Sequence, residues 1–218
     1  VGRGKSTSVR VKRRHRQTHF FGGRAWLASG RIRRGAHLSR ATHDMRIALL
    51  TRNFSRTAGG AESYAISVAQ ELSTRHDVHV YCQETDQPLA GVTYQLVWRP
   101  FKRPRWLNQI VYAWLTWWLT RSDFDVVHSH EHVFHGNVQT LHVQPVSKGI
   151  WGQRTGWRRM LRGLAVITSP GRLTYLALEW ARMRPLPGRR LVFASAPLLD
   201  QFENYYPGIR AISHVIPP

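Results

Sequence analysis

Two groups of residues have the types and spacing to do chemistry. The first is Gly59-Gly60-Ala61-Glu62, which closes the loop 52–60. Adjacent glycines let backbone N–H groups approach an anion closely, and a helix starting there adds unsatisfied donors with partial positive charge. The segment is therefore a candidate phosphate cradle built on Gly59 and Gly60. It has neither a Gly-x-Gly-x-x-Gly pattern nor a following Gly-Lys-Ser/Thr, so a tight turn competes with that reading. Glu62 also suits the first turn of a helix by its charge alone. The second group is histidine-rich: His128, His130 and His132 alternate along Val127-His-Ser-His-Glu-His, with His135 and His142 downstream. On a continuous strand the three would project to one side, as metal ligands can. A helix or loop opening near His130 would scatter them instead, so no metal is assigned and cleft or structural histidines are expected.

Weaker signals surround these two. The segment around Trp106, Tyr112, Trp114, Trp117 and Trp118, preceded by Arg103 and Arg105, reads either as a core-packing helix or as a membrane-interface helix. Trp151, Arg154, Trp157, Arg158, Arg159 and Arg162 read as a basic loop, able to grip an anionic acceptor or simply solvated. No Gly-x-Ser-x-Gly elbow occurs, and the single cysteine, Cys82, falls inside an expected strand, a poor place for a nucleophile. One cysteine forms no internal disulfide, and a reducing, cytoplasmic compartment fits.

The elements that must position these residues follow from periodicity. Residues 45–51 read as a strand buried on both faces, because the run is nearly continuously apolar. Residues 61–75 carry Ala61, Tyr64, Ala65, Val68, Ala69 and Leu72 at helical spacing, and 78–82 read as a second strand, completing a βαβ unit. Further strands are expected at 92–98, 125–129, 138–142, 191–194 and 211–216. Helices are expected at 106–121, 173–183 and 197–205. This alternation predicts an α/β fold with a doubly wound, mostly parallel sheet of the Rossmann-like kind. In such a sheet His130 and His142 lie at the carboxyl ends of their strands, where ligands bind.

Composition bounds the rest. With 218 residues, 42% of them hydrophobic, the chain has a folded body and room for one domain plus an appendage. The formal charge of +20 is uneven: residues 1–44 hold 12 of the 32 Lys and Arg and one acid, Asp44. That stretch shows no sustained periodicity and is expected to be a basic, disordered extension. It reads as sequence upstream of a natural start at Met45, with a transit peptide or a nucleic-acid-binding arm as alternatives. The most apolar run, 110–119, is half of the ~20 residues a spanning helix needs.

Several segments together resemble the N-terminal domain of family 4 glycosyltransferases, retaining enzymes of the GT-B fold. They are Met45-Arg-Ile-Ala-Leu-Leu-Thr, Gly59-Gly-Ala-Glu62, Asp125-Val-Val-His-Ser-His-Glu131, Thr140-Leu-His142, Phe193-Ala-Ser195 and Val215-Ile-Pro-Pro218. Their order and spacing carry the resemblance, which covers residues 45–218 and makes this one half of a GT-B fold. It implies a nucleotide-sugar donor as substrate, no cofactor and no metal requirement. Gly59 and Gly60 would lie near the donor diphosphate, and His142 near the transferred sugar as the catalytic-site residue. Glu62, His130 and Ser195 would line the cleft. The acceptor would be a glycan or lipid-linked glycan of cell-envelope or lipopolysaccharide type, reached from the cytoplasmic side, peripherally at an anionic membrane surface. The family's Glu-x7-Glu motif occurs nowhere in the chain, so the C-terminal donor-binding domain is expected to be absent and the chain alone inactive. Two rival readings remain: a nucleic-acid-binding protein acting through the 1–44 arm, and a catalytically silent orphan domain.

Overall fold

The computed structural model describes residues 45–55, 59–86, 88–152 and 156–217. The basic extension 1–44, the tip of the glycine-loop at 56–58, Arg154 and Pro218 lie outside them, and so does any test of the roles read for them. The first strand, β1 (Arg46–Leu50), has four of five residues buried, as a strand covered on both faces must. It is followed by a two-residue strand β2 (Asn53–Phe54), helix α1 (Gly60–Leu72), and strands β3 (Asp77–Cys82), β4 (Glu84–Thr85) and β5 (Val92–Leu96). The second half runs α2 (Arg105–Thr120), β6 (Val126–Ser129), β7 (Val138–Leu141), α3 (Val146–Trp151), α4 (Gly156–Ile167), α5 (Pro170–Met183), β8 (Arg190–Phe193), α6 (Ala196–Glu203) and β9 (Ser213–Val215).

Seven strands form one parallel sheet in the order β5-β3-β1-β6-β7-β8-β9, while β2 and β4 pair apart from it. The chain thus winds outward from β1 in one direction, then returns to its other side and winds the opposite way. The reversal falls between β1 and β6, and the crevice beyond their carboxyl ends is where a doubly wound sheet receives a ligand.

Alternation along β1 distributes the core. Leu49 packs with Phe54, Ala65, Ile66 and Ala69 on the α1 side, whereas Ala48 and Leu50 pack with Tyr112, Ala113 and Leu178 on the α2 and α5 side. A third cluster joins Leu141, Leu191, Phe193, Leu199 and Phe202 around β7, β8 and α6. Helix α2 docks by hydrogen bonds as well as by area. The Tyr112 hydroxyl donates to the Tyr81 carbonyl at 2.8 Å, and Gln109 Nε2 donates to the His132 carbonyl at 2.7 Å.

The expected elements lie within a few residues of those formed, with three differences. The stretch 147–162, expected as a loop, contains α3 and most of α4; its glycines interrupt the apolar period and mask the helices. The last strand is shorter than expected because residues Ile209–Ile212 close into a 3₁₀ turn before β9. No helix opens at His130: residues 130–137 form an irregular connection.

Candidate functional site

The carboxyl ends of β1, β6 and β7 are adjacent, and the loops leaving them carry the sequence-predicted residues. Beyond β1, the first bond within α1 runs from the Ser63 N–H to the Gly59 carbonyl at 3.0 Å. The N–H groups of Gly60, Ala61 and Glu62 therefore have no acceptor within the helix, the condition that makes a helix N-terminus attract anions. The two glycines differ. A Cβ on Gly59 would stand 2.9 Å from Glu62 Oε2, while a Cβ on Gly60 would meet nothing within 4 Å. The atom facing position 59 is the movable end of a side chain, and no described atom crowds position 60.

Beyond β6 and β7, His130 and His142 stack with ring centroids 5.7 Å apart and planes 9° from parallel. His130 Nδ1 lies 3.4 Å from His142 Nε2. Tyr64 of α1 meets both edge-on, with centroids 5.8 Å from His130 and 4.9 Å from His142. His128 packs behind His130 at 4.5 Å and holds the Thr140 hydroxyl at 2.6 Å through Nε2. Three of the five histidines therefore gather, and His132 turns away to Tyr175. Among the described residues no group of three or more His, Cys, Asp or Glu has the geometry to hold a metal ion.

These rings are neutral at pH 7. Burial pushes His128 down to about 4, with the Arg182 cation adding to the shift. Burial also drives His130 well below its ordinary value, and His128 and His142 reinforce it. His142 is lowered by burial and by Arg182, against a smaller upward pull from Glu62. Glu62 is thus within electrostatic reach of His142, linking the two groups of residues found in the sequence. His130 Nε2 is buried without a hydrogen-bond partner, a donor or acceptor left free at the crevice.

Polar residues that periodicity did not single out hold this arrangement. Arg52 donates from its backbone N–H and from Nε to the Glu131 carboxylate, at 3.1 and 3.0 Å, clamping the end of β1 to the end of β6. Arg182, 2% exposed, donates to Gln139 Oε1 and to the Thr140 carbonyl directly beneath His142. Glu179 accepts from the Ser147 N–H, the Ser147 hydroxyl and the Tyr206 hydroxyl at 2.7–3.0 Å, and from the Val146 N–H, fixing the start of α3. The available signal was positional: Glu179 and Arg182 share a helical face with Leu178, the apolar face of α5. Tyr64 was read only as part of an apolar stripe. Ser195 is exposed at the start of α6, beyond β8, and its side chain makes no cap hydrogen bond. Cys82 is buried and its thiol is pushed up to about 11, an inert position.

The fold and this crevice define the chain's class: a doubly wound, all-parallel Rossmann-like domain whose carboxyl edge carries an open helix N-terminus beside a neutral histidine pair. Residues 58–218 match Glycosyltransferase Family 4, and the chain belongs to that family. Among solved structures it is similar to WaaG, described as a glycosyltransferase involved in lipopolysaccharide biosynthesis. The likeness has a TM-score of 0.66 at 16% identity and covers 79% of this chain and 45% of WaaG. The chain thus spans about half the length of that relative, one half of its GT-B fold. No curated protein sequence matches it.

Proposed function

We propose that this domain forms the acceptor-side half of a retaining glycosyltransferase and places its α1 N-terminus and His142 around the diphosphate and sugar of a nucleotide-sugar donor. The observation that carries the reading is the meeting of Gly60, open to close approach, with the Tyr64–His130–His142 group at the topological reversal of the sheet. The N–H groups of residues 60–62, which have no acceptor within the helix, stabilise negative charge that grows on the departing diphosphate, the electrostatic form of catalysis. His142 is neutral, so it serves the sugar by hydrogen bonding and shared proton traffic rather than as a cation. His130 and Tyr64 fix its ring. Glu62 and Ser195 line the same edge, at positions nearer to and farther from His142.

The acceptor is read as a lipid-linked or lipopolysaccharide-type glycan at an anionic membrane surface, supported by the excess of positive charge and by the exposed tryptophans Trp114 and Trp118 on α2. Among the described residues no helix is long and apolar enough to cross a membrane.

The test joins the chain to a donor-binding GT-B half and measures transfer from nucleotide sugars. Gly60→Ala, whose added Cβ would meet no described atom within 4 Å, is expected to raise the donor KM while the melting temperature stays put. An unchanged KM would remove the α1 N-terminus from the donor site. The chain alone is expected to show no turnover, and measurable transfer by it would refute the divided-site reading.

A further inference from the structure

A cavity of about 340 Å³ opens at the amino edge of the sheet, opposite the edge that carries His142. Its walls are the last turn of α2 and the residues that lead into β6, β7 and β8. The volume lies in the range of sites that enclose small molecules. Gly136, at φ 97°, brings the connection before β7 so close to β6 that a Cβ there would stand 3.0 Å from the Val127 carbonyl. Trp117 and Phe124 give the cavity aromatic wall, and Arg121, exposed, holds its guanidinium 6.0 Å from the centre of the Trp117 ring.

Polar groups that line this cavity are left unanswered. His135 is 9% exposed, and neither of its ring nitrogens has a hydrogen-bond partner. Arg189, 4% exposed, donates from Nη1 to the Ala181 carbonyl at 2.7 Å and from Nη2 to the Phe134 carbonyl at 3.0 Å, while its Nε is buried without a partner. Buried Arg182 has the Glu131 and Glu179 carboxylates near enough to favour its charge, whereas the charge acting on Arg189 is that of Arg184, which opposes it. Burial and the Arg189 cation push His135 down to about 4, so its ring is neutral at pH 7 and offers one donor and one acceptor. No Asp or Glu lines the cavity, and among the described residues none pairs with Arg121 or Arg189. Asp125, next to Phe124 in the sequence, accepts from the Arg46 N–H at 2.7 Å instead. A buried cation with no counter-charge in the chain, beside an aromatic cavity, fits an anion supplied from outside.

We propose that this cavity is a second binding site, at the edge of the sheet opposite the donor crevice, for a small organic anion that carries a planar ring. The ring lies against Trp117 and Phe124, and the anionic group meets Arg121, with Arg189 and His135 behind it. The aromatic wall is what selects such a ligand over a bare inorganic anion. The proposal goes beyond the donor reading and does not rest on it, because none of these residues belongs to the group around His142.

The experiment is calorimetric titration of the whole 218-residue chain with adenosine monophosphate, 2-naphthoate and inorganic phosphate. At least one ring-bearing probe is expected to bind saturably, roughly tenfold or more tighter than inorganic phosphate. Binding of adenosine monophosphate alone would assign a nucleotide, of 2-naphthoate alone an aromatic carboxylate, and of both the shared chemistry. Arg121→Gln, an exposed substitution, is expected to weaken that binding roughly tenfold or more. His135→Phe keeps the bulk of the ring and removes its nitrogens. The free protein should then melt no earlier, because an unanswered buried polar group is gone, while binding falls. A merely structural His135 would move the melting temperature and leave binding alone; should this variant melt early, Arg121→Gln decides. His142→Ala is expected to bind the probes like wild type. The basic segment 1–44 is common to all these proteins, so it cannot produce a difference among them. Binding unchanged in both cavity variants would overturn the proposal, as would a loss confined to His142→Ala. So would inorganic phosphate binding as tightly as the ring-bearing probes, or no saturable binding of either of them.

Discussion

The crevice around His142 and the outer face of α4 invert the usual distribution of residues in opposite ways. In the crevice, polar and ionisable groups are taken out of water: Glu179 and Arg182 are nearly inaccessible, and the histidines are stripped of charge by burial. On α4, apolar side chains are left in water over five positions of one face. Each arrangement costs free energy in isolation, and each is the kind of observation that discriminates function from packing, whereas scattered exposed leucines would not. The difference lies in what compensates. Glu179 and Arg182 are answered inside the fold, by Gln139, Thr140, Ser147 and Tyr206, while no described residue covers the α4 ridge. One region leaves a single ring nitrogen, His130 Nε2, open to a small ligand; the other leaves a whole apolar face in water.

Acid should separate the two regions most strongly. His128 and His135 are pushed down to about 4 and His132 to about 3, each chiefly by burial. Their folded values lie below the unfolded 6.5, so the stability they contribute is full above about pH 6.5 and is lost as pH falls toward 4. For His128 alone this amounts to roughly 3 kcal/mol. Chemical denaturation across that window should show the whole domain giving way; a flat profile would mean the rings reach water. Helix α4 carries no histidine and has no part in that slope.

Glu179→Ala comes next, since it leaves the Val146 and Ser147 N–H donors without their acceptor and the Ser147 and Tyr206 hydroxyls with only each other. A loss of about 3 kcal/mol is expected in a urea titration, with Glu179→Gln milder. A change below about 0.5 kcal/mol would show that α3 re-satisfies itself, erasing the claim that Glu179 fixes its start.

For His142→Ala, turnover of the chain joined to a donor-binding half should fall about tenfold or more, while stability changes by under about 1 kcal/mol because the ring is only partly buried. Equal losses of turnover and stability would demote His142 to a packing residue. Leu164→Glu marks the small end of the scale: its unfolding free energy should stay within about 0.5 kcal/mol of wild type. A larger loss would mean that the ridge packs against the body after all, and the contrast between the two regions would collapse.

The sequence by itself determined the elements and the sheet, because periodicity and strand burial are local properties. The apolar run of β1 and the stripe of α1 are visible without neighbours, and the alternation of such segments admits little but a parallel doubly wound sheet. It also indicated which loops carry chemistry, since Gly59-Gly60, His130 and His142 must follow strands that end on the same edge. Tertiary structure alone decided which of those residues meet. His132 follows the same alternation as His128 and His130 yet leaves the group: β6 ends at Ser129, and His130 is still tied to β1 by its N–H to the Leu50 carbonyl, whereas the pleat no longer governs His132. Whether a helical stripe faces inward or outward is likewise not written in its period. The stripe of α1 turns to the sheet and that of α4 to solvent, because the first meets β1 and the second is held away from the core by Trp151 and Val166.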